Sequence, residues 1–188
     1  MTKKDTPALV GLTGYAGSGK DLIGALLAMR GYTRIAFADA VRMEVADHIG
    51  RQALAPVELD EDLRCVLNDF SVSDVWSKPT TPTMRRILQQ WGTEYRRNQD
   101  QDYWVKIVDD QFKALDAPAV ITDVRHANEC EWLRHRGGVL LRVRRNASND
   151  PHSSERAIDA LAVDAEIDNT GTLQELPGRV LAALGVTA

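Results

Sequence analysis

A glycine-rich segment that ends in lysine is the strongest chemical pattern in this sequence. Residues 14–20 read GYAGSGK and match the pattern G-x-x-x-x-G-K. Glycines let a backbone curl until successive N–H groups point inward, and a helix that follows adds its positive end. Lys20 places an ammonium beside the outer phosphates of a triphosphate. The residues predicted to contact that triphosphate are Gly14, Ala16, Gly17, Ser18, Gly19, Lys20, Asp21 and Leu22. A plain glycine turn with an exposed lysine is the alternative.

Asp21 departs from the usual form of this pattern. A serine or threonine commonly follows the lysine and offers its hydroxyl to Mg²⁺. A carboxylate beside phosphates repels them unless a cation lies between the two. Asp21 therefore either ligates Mg²⁺, directly or through water, or turns away and caps the start of the helix.

Other charged residues follow the predicted strands of the sheet. Asp39 and Arg42 come after the second strand, and Asp123 and Arg125 come after the third. Ligands of open α/β sheets bind beyond the carboxyl ends of the strands. Asp123 is thus a candidate to position Mg²⁺ opposite the glycine loop, with a helix N-cap as its alternative. Arg42 is a candidate to bind an anion with its planar fork, with a solvated surface arginine as its alternative.

Arginines also surround a polar segment after the fourth strand. Arg144, Arg145 and Arg156 bracket residues 146–154. If this loop closes over the site, at least one of the three guanidinium groups can reach a transferring phosphoryl group.

Hydrophobic periodicity predicts the elements that position these residues. Short apolar runs predict strands over 8–13, 33–37, 119–122, 139–143 and 165–167. Amphipathic spacing predicts helices over 20–30, 40–50, 83–97, 103–115, 127–136, 158–163 and 173–184. Residues 51–82 predict irregular structure with short helices. Strands that alternate with helices favour a mostly parallel sheet covered on both faces.

Length and composition narrow the class of protein. The 188 residues, 44% of them hydrophobic, predict one globular domain. Lys plus Arg total 23 against 27 for Asp plus Glu, so the net charge of −4 argues against nonspecific duplex binding. Two cysteines are too few for a disulfide framework. Because the sequence lacks a secretion signal and a long apolar segment, we expect a cytoplasmic protein with no membrane partner.

Five segments together resemble one kinase family. They are GLTGYAGSGKD at 11–21, FADAVR at 37–42, LQQWGTEYR at 88–96, ITDVRHANE at 121–129 and IDNTGTL at 167–173. The chain resembles the bacteriophage-type deoxynucleoside monophosphate kinases over nearly its whole length. An aspartate after the loop lysine is a feature of that family, although the threonine that usually follows it is Leu22 here. Residues 167–169 also resemble the adenine-side loop of dephospho-coenzyme A kinases.

The resemblance implies a fold and an activity. It implies a single P-loop kinase domain over 1–188, a three-layer α/β/α fold with a five-stranded parallel sheet. A helical monophosphate-binding insertion is expected over about 42–113, and a lid loop over about 144–156. The implied reaction moves the γ-phosphoryl group of ATP, with Mg²⁺, onto a deoxynucleoside monophosphate. The host cytoplasm is the expected location if the protein is viral.

The resemblance also implies roles for individual residues. Arg42 and Arg125 are expected to grip the acceptor phosphate, and Lys20 and Asp123 to organise the donor and Mg²⁺. Asn169 is expected near the adenine. The catalytic candidates are Lys20, Asp123, Arg144 and Arg145. The acceptor-side candidates are Asp39, Arg42, Arg96, Arg125 and Glu129.

Two other functions remain open at this point. A related kinase could phosphorylate a hydroxymethyl pyrimidine within DNA, with Asp39 or Asp123 as the base that a hydroxyl acceptor needs. The basic residues that keep this open are Arg85, Arg86, Arg96, Arg97 and those within 134–145. A nucleotide-binding switch with slow hydrolysis is the second alternative. The preferred base, the sugar and a homodimer are likewise left open.

Overall fold

The computed structural model describes residues 6–145 and 158–186, which divide between two compact units. The sheet unit combines the chain up to Ala36 with the chain from Asp109 onward. The helical unit is Phe37–Val108. The predicted lid at about 144–156 lies outside the described residues, except for Arg144 and Arg145.

The sheet unit contains a parallel sheet of five strands within the described residues. The strands are β1 (Leu9–Thr13), β2 (Thr33–Ile35), β3 (Ala119–Ile121), β4 (Val139–Arg144) and β5 (Ala165–Asp168). Their order is β2-β3-β1-β4-β5, and every pair is parallel. The predicted five-stranded parallel sheet is therefore confirmed. β1 is central and buried along its whole length, as expected for a continuous apolar run between two helical layers.

Helices cover both faces of this sheet. They are α1 (Lys20–Ala28), α7 (Ala127–His135) and α8 (Leu176–Ala183). Successive side chains of a strand point to opposite faces. Val10 and Leu12 thus join the core formed with α1 and α8, whereas Gly11 faces Leu133 of α7 on the other side.

The helical unit contains no strand within residues 37–108, all of which are described. Its elements are α2 (Phe37–Gly50), α3 (Glu61–Leu67), α4 (Val72–Trp76), α5 (Pro82–Gln89), a π-helix (Gln90–Arg97) and most of α6 (Tyr103–Lys113). Trp91 and Trp104 are almost fully buried in it and form part of its core. This unit overlaps the predicted insertion at about 42–113, whose binding role stays a prediction.

One predicted element was wrong in kind. We expect a single α-helix over 83–97, but the chain changes from α5 to a π-helix at Gln90. The Asn98 N–H donates to the Thr93 carbonyl, five residues back, at 3.0 Å. Residues five apart lie roughly 140° apart around an α-helix, and the wider π turn brings them closer to one line. Apolar periodicity does not distinguish these two helices over eight residues.

Among the described residues, no helix is long and apolar enough to cross a lipid bilayer.

Candidate active site

The glycine-rich segment forms a tight loop between β1 and α1. Gly14 has a φ of +139°, and a Cβ atom there would collide with the Val143 carbonyl oxygen of β4. This position therefore requires glycine for both its backbone angle and its close approach to β4. Beyond the loop, the first N–H groups of α1 have no acceptor within the helix. The loop thus leads into the positive end of α1, as the sequence predicts.

The Lys20 ammonium lies within the curve of this loop. Its Nζ donates to the Gly14 carbonyl at 2.6 Å and to the Tyr15 carbonyl at 2.7 Å, and lies 3.4 Å from Ser18 Oγ. The side chain is half-buried. A fixed cation at the positive end of a helix is an arrangement that favours anion binding. The alternative of a glycine turn with a merely exposed lysine does not describe this geometry.

Asn169 contacts the same loop from the end of β5. Its side chain is buried, and Nδ2 donates to the Ser18 carbonyl at 2.8 Å. Its backbone N–H donates to the Arg144 carbonyl at 2.7 Å. Its expected place near adenine stays a prediction, whereas its contact with Ser18 is a feature that sequence reasoning missed.

Asp21 and Leu22 lie in the first turn of α1, and both are exposed. Asp21 makes no capping hydrogen bond in the described part of the chain, and its carboxylate lies 4.0 Å from the Arg34 guanidinium. Its side chain is 81% exposed. Asp21 thus lies in the first turn of α1, where a negative charge favours the helix start, and its carboxylate faces solvent, so the helix-start role and the Mg²⁺ role both stay predictions.

The segment after β3 carries Asp123, which is half-buried, and Arg125, which is exposed. The Val124 N–H donates to the Leu12 carbonyl at 3.0 Å, which ties this segment to β1. Glu129 is fully buried in α7, and its carboxylate accepts from the backbone N–H groups of Arg125 at 2.7 Å and His126 at 3.1 Å. Glu129 thus fixes the backbone that presents Arg125.

A cavity of about 420 Å³ opens beside the glycine loop at the carboxyl ends of β4 and β5. Its lining includes Gly14, Tyr15, Arg144, Asp159 and Thr170. The Tyr15 hydroxyl donates to the Asp159 carboxylate across it. This cavity is large enough for a small ligand.

Arg144 is the last residue of β4, and Arg145 follows it. Arg144 forms an ion pair with the Glu166 carboxylate: Nη2 donates to Oε1 at 2.8 Å and Nε lies 2.7 Å from Oε2, while Arg145 is exposed. The hydrogen bond from Arg144 holds the pKa of Glu166 below its usual range, and the same contact raises the pKa of Arg144. Arg144 is therefore oriented by a partner, whereas Arg145 follows the end of the described strand.

The predicted acceptor-side residues Asp39, Arg42 and Arg96 lie in the helical unit. Arg42 is half-buried on α2, and its guanidinium donates to the Val75 carbonyl and to Thr80 Oγ1, the latter at 2.9 Å. Asp39 is half-buried in the first turn of the same helix. Arg42 is thus a structural link as well as a candidate ligand-binding residue.

A polar cluster around Glu44, which we name the Glu44 cluster, holds Arg96. The Glu44 carboxylate accepts from Trp91 Nε1 at 3.0 Å, Arg96 Nε at 2.6 Å and the Tyr103 hydroxyl at 2.8 Å. The Arg96 guanidinium also lies over the rings of Tyr95 and Tyr103, at 4.3 and 4.6 Å from their centroids. The π-helix brings Trp91 and Arg96, five residues apart, onto the same Glu44 oxygen.

Burial and charge act on the Glu44 cluster in opposite directions. Burial alone lowers the pKa of Arg96, but the hydrogen bond and charge of Glu44 raise it above the ordinary value. Burial, followed by Glu44, raises the pKa of Tyr103 to about 12. Sequence reasoning missed Glu44, because a glutamate on an amphipathic helix carries no signal that it lies inside.

Several of the basic residues that favoured DNA binding are paired with carboxylates. Arg86 pairs with Asp60 at 2.6 Å, Arg96 with Glu44 at 2.5 Å, Arg136 with Asp109 at 2.7 Å and Arg144 with Glu166 at 2.7 Å. Paired cations offer a phosphate backbone less charge than free ones. The DNA alternative loses most of its support.

A central phosphate loop in a five-stranded parallel sheet of this order defines a P-loop α/β phosphotransferase fold. A family model described as deoxynucleotide monophosphate kinase matches residues 60–180, which is more than half of the chain. The chain therefore belongs to the deoxynucleotide monophosphate kinase family.

Two viral proteins are similar in sequence. The deoxynucleotide monophosphate kinase of Enterobacteria phage T4 is 29% identical over 149 residues, which cover 76% of this chain and 58% of the phage protein. A putative deoxynucleotide monophosphate kinase of Acanthamoeba polyphaga mimivirus is 26% identical over 204 residues, which cover 94% of this chain and 95% of the viral protein. The match thus spans little more than half of the phage T4 protein. Both names disfavour the DNA and switch alternatives.

Two solved structures share the fold. A Thermus thermophilus protein is 20% identical with a TM-score of 0.52, and covers 98% of this chain and 100% of its own. A gluconokinase from Sinorhizobium meliloti 1021 is 16% identical with a TM-score of 0.50, and the match covers 97% of this chain and 94% of the gluconokinase. These likenesses concern the fold alone.

Proposed function

We propose that the protein transfers the γ-phosphoryl group of ATP to a deoxynucleoside 5′-monophosphate and releases ADP and the deoxynucleoside diphosphate. The observation that carries this proposal is a glycine loop whose lysine is held inside its curve, in a chain of the deoxynucleotide monophosphate kinase family. The acceptor oxygen of a monophosphate is largely ionised at neutral pH, because its second pKa is near 6. No general base is needed, and catalysis rests on positioning and on charge neutralisation.

The donor phosphates are proposed to bind the loop over 14–19 and the Lys20 ammonium. Arg144 and Arg145 are proposed to offset the charge that moves with the phosphoryl group. The cavity beside Gly14 is a suitable size for the rest of the donor nucleotide. Asn169 reaches the loop from the end of β5.

The acceptor phosphate is proposed to bind Arg42, Arg96 and Arg125. Arg96 uses Nε and one terminal nitrogen on Glu44, so its other terminal nitrogen keeps donors for a phosphate. Asp39 is assigned to the same substrate, and Glu129 acts by fixing the backbone of Arg125.

Mg²⁺ is proposed to be held by Asp21 and Asp123. The donors fit the ion, because Mg²⁺ prefers oxygen ligands and is commonly bound by one or two carboxylates with waters and phosphates. Within residues 6–145 and 158–186, no group of three or more His, Cys, Asp or Glu residues could hold a metal alone. When bound, Mg²⁺ neutralises phosphate charge. We expect Asp21→Ala to raise the Mg²⁺ concentration for half-maximal turnover severalfold, and an unchanged titration contradicts this role.

A coupled assay of ADP release tests the proposed reaction. Each deoxyribonucleoside and ribonucleoside monophosphate is supplied with ATP and Mg²⁺, alongside a hydroxymethylated DNA oligomer. We expect ADP release that depends on at least one deoxynucleoside monophosphate. Turnover without any acceptor supports a switch protein, and turnover with the oligomer alone supports the DNA alternative. A cytoplasmic location and a homodimer stay predictions.

A further inference from the structure

Asn169 contacts the Ser18–Gly19 peptide unit of the glycine loop, one residue before Lys20. Its Nδ2 lies 2.8 Å from the Ser18 carbonyl, and the next residue, Gly19, begins the turn into α1. We infer that Asn169 is a positioning residue of the phosphate loop, which aims the Gly19 N–H at the bound anion. This inference rests on the proposed function, because it assumes that the loop binds the phosphates of ATP.

Peptide geometry links the Ser18 carbonyl to the Gly19 N–H. The two groups belong to one planar trans peptide, so they point in opposite directions. A hydrogen bond that holds the carbonyl toward Asn169 therefore turns the N–H away from Asn169. Rotation of this peptide is the simplest way for the loop to lose a donor, and the Asn169 amide opposes that rotation.

The close contact with Asn169 also requires glycine at position 19. Gly19 has a φ of +102°, and a Cβ atom there would collide with Asn169 Nδ2. Only glycine lets the amide approach the loop this closely. The Asn169 side-chain amide thus occupies the space that a side chain at position 19 would need.

Asn169 is itself held in place. Only 8% of the residue is exposed, and its backbone N–H donates to the Arg144 carbonyl at the end of β4. A side chain this buried has little surface left to contact a base. The contact with the loop is therefore the role that the geometry favours.

Two probes, one without a base and one without phosphates, separate this role from contact with adenine. Inhibition of turnover by tripolyphosphate measures affinity at the glycine loop, and inhibition by adenosine measures affinity at the site for the base. For Asn169→Asp and Asn169→Leu, we expect the inhibition constant of tripolyphosphate and the KM of ATP to rise about tenfold, the scale of one lost hydrogen bond. The inhibition constant of adenosine and the KM of the monophosphate should change less than about twofold. Thr172→Ala, at an exposed residue of the segment that contains Asn169 and follows β5, serves as the matched control.

Asn169→Ser tests the role if the larger changes prevent folding. Its shorter side chain keeps a hydroxyl donor, and we expect the same selective loss of tripolyphosphate affinity in a smaller amount. Loss of adenosine affinity alone, equal loss of both probes, or no loss of either overturns the inference while wild-type turnover still supports the proposed function. A wild-type protein that neither turns over ATP nor binds tripolyphosphate overturns both.

Discussion

The glycine loop and the Glu44 cluster use polar groups in opposite ways. Around Glu44, one carboxylate receives hydrogen bonds from an indole, a guanidinium and a phenol, so its acceptor capacity is largely used within the protein. At the loop, the first N–H groups of α1 have no acceptor within the helix, and Lys20, which donates to two loop carbonyls, adds a positive charge beside them. Polar groups that are satisfied within the protein stabilise a fold, whereas helix N–H groups with no acceptor in the helix can bind a ligand. Substitutions in the glycine loop should therefore lower turnover most, whereas substitutions in the Glu44 cluster should lower the free energy of unfolding most.

The largest effect is expected at Lys20. Lys20→Met removes the ammonium from the loop while keeping an unbranched side chain of similar length. We expect kcat/KM for ATP to fall about 10³-fold or more, because a charge that stabilises the transferring phosphoryl group is lost. Urea unfolding of the same variant measures separately what the bonds from Lys20 to the Gly14 and Tyr15 carbonyls contribute to stability. Lys106→Met, which alters an exposed lysine paired with Asp100, is the control and should keep full turnover.

A different outcome for Lys20→Met would redefine the loop. If turnover survives within about tenfold, the ammonium does not neutralise the donor phosphates and the contrast between the two regions is lost.

The Glu44 cluster should show the reverse result. Glu44→Gln leaves the half-buried Arg96 without its counter-charge, and we expect the free energy of unfolding to fall by about 2 kcal/mol. The KM of ATP should stay near the wild-type value. Asp47→Asn on the same helix breaks an exposed pair with Arg51, and should cost well under 1 kcal/mol. Equal costs for the two substitutions, measured by urea unfolding, would show that the Glu44 cluster adds no more than a surface ion pair.

The same contrast explains how far the sequence could predict this molecule. Glycine spacing, alternating apolar runs and charged residues at strand ends depend on local order, and they predict the loop, the five strands and the position of Asp123. The Glu44 contacts join residues 44, 91, 96 and 103, and only the folded chain brings these together. The π-helix is hidden for a related reason, since its turn depends on what Trp91 and Arg96 contact. The contact of Asn169 with Ser18 could not be predicted either, because the two residues lie 151 positions apart in the sequence.

Arg42 combines a structural and a proposed binding role, because it makes hydrogen bonds within the helical unit and is also proposed to bind the acceptor. We expect Arg42→Ala to raise the KM of the monophosphate about tenfold or more, since hydrogen bonds to charged groups contribute about 1.5–3 kcal/mol. The KM of ATP should change far less. Arg85→Ala, an exposed arginine of α5, is the matched control. Equal increases in both KM values would remove Arg42 from the acceptor site and leave its bonds to Val75 and Thr80 as its role.

Asp109 offers the smallest and most specific test, because it is the sheet unit's counterpart of Glu44. Its carboxylate accepts from Trp132 Nε1 and from Arg136, each at 2.7 Å, and Lys113 lies at 2.6 Å. Burial opposes ionisation, but these partners lower the pKa of Asp109 to about 2. Since the folded pKa lies below the ordinary value of 3.8, this stabilisation is complete above about pH 4 and is lost as the pH falls toward 2.

Urea unfolding of wild type and Asp109→Asn across this pH range measures the effect. We expect a constant difference in the free energy of unfolding from pH 7 to about pH 4, and a shrinking difference below it, because the unfolded carboxyl group takes up its proton first. Asp110→Asn alters a neighbouring aspartate that is 81% exposed and lies 3.6 Å from the same Lys113. Its difference from wild type should stay small at every pH. A difference for Asp109→Asn that persists unchanged at pH 2.5 would mean that packing, rather than the charge on the carboxylate, is what Asp109 contributes.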